Sequence, residues 1–133
     1  MVSRFADRLK RGDAVVVFGD GEQVRDFTYV GDAVVAIVRA LGAASTDAPV
    51  FNIYTDKGTT VRALAENMAS LYRTGLAADH HPARSGEVRT SMGDPLRAVE
   101  QLGFGAETAL ADGLAMTLDV PCLRVAREAE VGI

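Results

Sequence analysis

At 133 residues the chain has the length of one domain, and folding at that size buries about two-thirds of the unfolded surface, enough for a real core. Its 48% hydrophobic and 24% charged residues exclude disorder as the default state. A net charge of −4 disfavours non-specific binding to nucleic acid or to anionic membrane surfaces, and leaves room for a local basic site that takes a small anion.

Val2, Phe5 and Leu9 fall at helical spacing, with Gly12 placed to end that helix. Val15 to Phe18 is a short buried strand. Gly19 to Glu22 turn the chain, and Arg25 to Val30 form a second strand or extended segment. Gly31-Asp32 opens a helix with Val34, Ile37, Val38 and Leu41 on one face. Ala43 to Pro49 is a polar loop, Val50 to Tyr54 reads as a strand, and Thr55 to Thr59 as a turn. Thr60 caps the next helix, striped by Val61, Leu64, Met68 and Leu71 and ended by Gly75. Ala78 to Pro82 is a further short strand. Asp94-Pro95 starts a helix through Leu96, Val99 and Leu102 that Gly103 stops. Leu110, Leu114 and Leu118 mark a last helix closed by Pro121, and the tail beyond has no clear period. Strands alternating with helices predict an α/β fold.

The single cysteine, Cys122, has no internal disulfide partner, and the basic start of the chain reads as a helix face rather than a signal peptide. No apolar run approaches the roughly 18 residues of a membrane span. These features predict a cytoplasmic protein with no membrane partner.

The run Phe18-Gly19-Asp20-Gly21-Glu22-Gln23-Val24-Arg25-Asp26-Phe27-Thr28-Tyr29-Val30 carries the most information. Its glycines do not make a dinucleotide fingerprint. The third glycine position is Val24, and a strand follows where a helix N-terminus should receive the pyrophosphate. Arg25, at the start of an apolar segment, suits an anion clamp, because a guanidinium holds phosphate oxygens bidentately. A surface role, or a pair with Asp26, competes with that reading. In Pro82-Ala83-Arg84-Ser85-Gly86-Glu87-Val88-Arg89, Arg84 supplies a second cation and Glu87 an acceptor for paired hydroxyls; a solvated charged loop is the alternative. His80 and His81, adjacent on an extended segment, point to opposite faces and make no metal site. None of Tyr29, Tyr54 and Tyr72 has a lysine four residues on, and no serine sits in a nucleophile elbow, so no catalytic set is present.

The segment from Phe18 to Val30 resembles the signature of NAD-dependent sugar-nucleotide epimerases and dehydratases, the extended short-chain dehydrogenase/reductase enzymes of the UDP-glucose 4-epimerase type. Further matches follow in order: Phe51-Asn52-Ile53, Lys57-Gly58-Thr59-Thr60-Val61, Arg84 to Arg89, Asp94, Leu102-Gly103-Phe104 and Leu110-Ala111-Asp112-Gly113-Leu114. The resemblance runs over about residues 2 to 120 and concerns only the family's C-terminal, substrate-binding part. It implies residues 1–120 as a nucleotide-sugar-binding domain and 121–133 as a tail, with three to four short strands, about five helices and no Rossmann domain. Arg25 and Arg84 would grip a substrate diphosphate, and Glu87 would accept from ribose hydroxyls. Val17 and Phe18 would present backbone and apolar surface to the base. NAD in the parent family is bound by an N-terminal half absent from this sequence, along with the catalytic Tyr-x-x-x-Lys, so the chain alone is expected to be inactive. In the family, NAD takes a hydride from the sugar and returns it to the other face, 4-epimerisation being the form these motifs most resemble. A stand-alone nucleotide-sugar-binding or self-associating module is the alternative. Tyr54 and Asp56 stand where the family usually has glycines, and Gly31 where an acidic residue is common.

Overall fold

A computed structural model describes residues 1–43 and 47–118. Cys122, Pro121 and the 121–133 tail lie outside the described residues. The elements are α1 (Val2–Arg11), β1 (Val15–Phe18), β2 (Val24–Asp26), α2 (Val30–Gly42), β3 (Gly58–Thr60), α3 (Val61–Leu71), β4 (Ala78–His81), β5 (Thr90–Ser91), α4 (Leu96–Leu102) and α5 (Leu110–Leu118). The fold is α/β, with five helices and five strands among the described residues, the last strand two residues long.

Two small sheets organise the described residues. β1 runs parallel to β4, with Val15 opposite Ala78 and Phe18 opposite His81. β2 is the centre of the other, antiparallel to β3 and parallel to β5. The core gathers Phe5, Leu9, Val15, Val17, Leu64 and Met68, so α1 and α3 close over one face of β1. That strand is not buried on both faces, as its apolar run suggested. Val15 and Val17 are buried, whereas Val16 and Phe18 alternate to the other side, where a cavity lies.

The helix ends follow local chemistry. Gly12 takes φ 76° after α1, the Gly12 N–H donates to Leu9 and the Asp13 N–H to Arg8, satisfying two end carbonyls. The Thr60 hydroxyl accepts from the Ala63 N–H at 3.0 Å, capping α3. The first two N–H groups of that helix, from Val61 and Arg62, donate to the carbonyls of Gln23 and Gly21, which ties α3 to the turn after β1. Gly21 itself has φ 77°, which suits a glycine and brings that carbonyl into place. At the other end of α3 the left-handed residue is Arg73, φ 53°, not Gly75. The Asp94 carboxylate accepts from Leu96 N–H at 2.8 Å, and Gly103, φ 60°, stops α4.

Two further expectations change. Residues 50–54 form no strand. Their side chains suit a sheet, but a strand needs a ladder partner, and here β3 takes the antiparallel place beside β2. The segment is held by other groups: Thr28 Oγ1 donates to the Ile53 carbonyl at 3.2 Å, and Arg97 Nη1 to that of Val50 at 3.1 Å. The apolar stripe of α2 does not face the core either. Only Ala36 is buried, and Val34, Ile37, Val38 and Leu41 are all exposed.

Candidate functional site

The site grows from the outward face of β1. Phe18 ends that strand, and the Arg84 guanidinium lies over its ring, 3.7 Å from the centroid. A cation stacked on an aromatic face is held in orientation as well as attracted. Arg84 comes from the loop after β4, and the parallel β1–β4 pairing brings that loop to the end of β1.

Beneath this pair sits Gln23, 5% exposed. Its Nε2 donates to the Phe18 carbonyl at 2.6 Å and to Glu87 Oε2 at 3.3 Å, while Oε1 is buried without a partner. The other oxygen of Glu87 is 3.7 Å from Arg25 Nη2, and Arg25 Nη1 donates to the Val24 carbonyl at 2.8 Å. Glu87 is therefore shared between an amide and a guanidinium, and stays ready to accept further donors. Asp26 does not pair with Arg25. Its carboxylate accepts from Thr55 and from the Asp56 N–H, which fixes the 55–56 turn.

These groups border a cavity of about 600 Å³ whose lining includes Val16, Phe18, Gln23, Arg84 and Glu87, with the polar face of α1 as a further wall. Of the five residues expected from sequence, Phe18, Arg84 and Glu87 line it. Arg25 stands one contact behind, holding Glu87. Val17 turns its side chain into the core, and its neighbour Val16 takes the place on the wall. Gln23 was missed, because a glutamine in a turn carries no signal until Glu87, 64 residues on, folds against it.

Asp20 fixes the turn after β1. Its carboxylate accepts from the Glu22 N–H at 2.9 Å and from Arg89 Nη1 at 2.8 and 2.9 Å. The Glu22 N–H first, and Arg89 second, hold its pKa below the ordinary carboxylate value. His80 Nδ1 lies 2.8 Å from the Gly19 carbonyl, and His81 pairs with Asp79 at 3.1 Å. Among the described residues no group of three or more His, Cys, Asp or Glu could hold a metal ion. Gly19 and Gly21 form no dinucleotide cradle, because they lead into β2 and not into a helix.

Residues 1–53 match the NAD dependent epimerase/dehydratase family. Over 119 residues the chain is 37% identical to a UDP-glucose 4-epimerase of Mycolicibacterium smegmatis, spanning 90% of this chain and 38% of that protein. A putative UDP-glucose 4-epimerase of Methanocaldococcus jannaschii is 32% identical over 86% of this chain and 36% of its own length. The crystal structure of the Thermotoga maritima UDP-glucose 4-epimerase with UDP-glucose superposes with a TM-score of 0.82 at 38% identity, covering 89% of this chain and 38% of that one. The fold and the sequence together place the chain with the short-chain dehydrogenase/reductases of the extended kind. The chain belongs to the NAD-dependent epimerase/dehydratase family. It spans about 38% of the length of the first of these relatives.

Proposed function

We propose that this chain is the nucleotide-sugar-binding portion of an NAD-dependent sugar-nucleotide epimerase or dehydratase, of the UDP-glucose 4-epimerase type. Residues 1–120 would be the binding unit and 121–133 a tail, in a cytoplasmic protein. The observation that carries the reading is the convergence of the Arg84–Phe18 stack and the Gln23-held Glu87 on one cavity. Arg84 binds the diphosphate of the ligand, joined by Arg25 when it is released from Glu87. Glu87 accepts from the ribose hydroxyls, and Phe18, with the backbone of Val17, flanks the base. No hydride step is part of the proposal. What these residues contribute is orientation, holding the nucleotide so that the sugar has one position. Isolated from other protein, the chain is expected to bind without turnover.

Calorimetry with UDP tests this. Binding should be weak and should fall by about tenfold or more in Arg84→Ala and in Arg25→Ala. Unchanged affinity in Arg84→Ala would remove the basis of the reading.

A second property has its own observation. The exposed Val34, Ile37, Val38 and Leu41 of α2 form a helical apolar stripe, and self-association through it is part of the proposal. Sedimentation of the wild type and of Ile37→Glu decides, and equal masses for the two would contradict it.

A further inference from the structure

The cavity beside Phe18 has a second basic wall that the sequence motifs do not contain. Arg4, Arg8 and Arg11 stand four and three residues apart on α1, so they share one face of the helix, and all three line the cavity that Arg84 also lines. The acids on that lining are Asp7 and Glu87, and Glu87 is already engaged by Arg25 and Gln23. In a chain of net charge −4, a local excess of guanidinium groups is a feature of the site and not of composition.

Arg8 differs from a solvated helix arginine. It is partly buried, and its Nε donates to the Ala14 carbonyl beyond the end of α1. That bond restrains the guanidinium plane and leaves the Nη donors over. Among the described residues, Arg4, Arg8 and Arg11 take part in no salt bridge. A restrained guanidinium loses less entropy on binding, and its fork suits phosphate oxygens.

We infer that Arg8, flanked by Arg4, is a phosphate-binding residue of this cavity, so that a nucleoside diphosphate is held between α1 and Arg84. The inference rests on the nucleotide reading above and adds to it a set of donors from a different element. Those donors meet phosphate oxygens, whether from a nucleotide or from free pyrophosphate.

The test is calorimetry on the full chain with UDP, uridine and inorganic pyrophosphate, using wild type, Arg84→Ala, Arg8→Gln and Arg4→Gln. Arg8→Gln should weaken UDP by about tenfold, and Arg4→Gln by a few-fold, with uridine changed less than about twofold in both. Pyrophosphate that binds the wild type and loses affinity in Arg8→Gln supports the phosphate assignment over a base contact. A wild type blind to UDP, or an Arg84→Ala that binds it equally, sinks the nucleotide reading and this inference with it. A UDP affinity that falls in Arg84→Ala but stays at the wild-type value in both Arg8→Gln and Arg4→Gln overturns this inference alone. Should Arg8→Gln fail to fold, Arg4→Gln and Arg8→Lys decide, and unchanged UDP affinity in both overturns it.

Discussion

Arg84 rests on the ring of Phe18, 3.7 Å from its centroid, although 66 positions of chain separate them. The contact joins the end of β1 to the loop after β4, and it orients the cation toward the cavity. Phe18→Leu keeps apolar bulk and removes the aromatic face. The expected cost in folding stability is small, about 0.5–1 kcal/mol, the range for a partly exposed cation–π pair. The cost in UDP affinity should be larger, because Arg84 loses its orientation and the base loses its platform. Thermal melts and calorimetry on one preparation separate the two; a large stability loss with unchanged affinity contradicts the assignment.

Gln23 joins the site to the fold. Its Nε2 satisfies the Phe18 carbonyl and reaches Glu87. Gln23→Leu fits the buried volume and relieves the unpartnered Oε1, but it takes the side-chain donor from the Phe18 carbonyl and leaves Glu87 to Arg25. The unpaired carbonyl should dominate, at about 1–3 kcal/mol of lost stability. Gln23→Glu adds a carboxylate beside Glu87 and should be worse near neutrality, recovering as the pH falls and one carboxylate takes a proton. Urea midpoints over that pH range report it. A Gln23→Glu variant whose stability loss does not shrink toward acid pH would exclude a close approach to Glu87.

Local signals in the sequence reached most of the helices and their ends. Phe5 and Leu9 at helical spacing, Thr60 at a cap, and Gly12 and Gly103 at helix ends are decided by neighbours a few residues away. Residues 50–54 were misread because apolar, aromatic composition tells of a side chain's fit to a sheet and not of a partner strand. The α2 stripe was legible as amphipathic, but periodicity does not say what a face meets. Of the residues that line the cavity, Arg84 and Glu87 stand out in sequence as charges on a loop set by Pro82 and Gly86, whereas Phe18 is marked only by the family resemblance. Gln23 and Arg8 do not stand out, since their roles come from Glu87 and from the Ala14 carbonyl, contacts that only folding creates.

The Asp20 carboxylate, in the turn after β1, gives a pH test. Asp20 has a lowered pKa, from the Glu22 N–H and then Arg89. For a depressed carboxylate the stabilisation is present above its unfolded pKa and is lost as the pH falls through the folded one. Wild type should therefore exceed Asp20→Asn in stability by a constant margin near neutrality, and the margin should close below about pH 4. The group is exposed, so the margin is small. Melting temperatures of both proteins across that range check it; a margin that grows toward acid has the wrong sign for this pairing.

Tyr54 and Gly93 pack face to backbone. A Cβ on Gly93 would stand 2.0 Å from Tyr54 Cε2, far inside contact distance. The bulk of Tyr54 at that loop is thus matched by the absence of a side chain at Gly93. Gly93→Ala forces the ring or the 92–94 backbone to move, at an expected cost of about 1–3 kcal/mol. Tyr54→Ala removes the ring and the conflict with it. Because the residues touch, the two changes should not add, and Gly93→Ala should be far milder in the Tyr54→Ala background than in the wild type. Chemical denaturation of the four proteins of that cycle measures the coupling. Additive losses would mean that the ring leaves Gly93 freely and that the loop, not the tyrosine, sets the need for glycine.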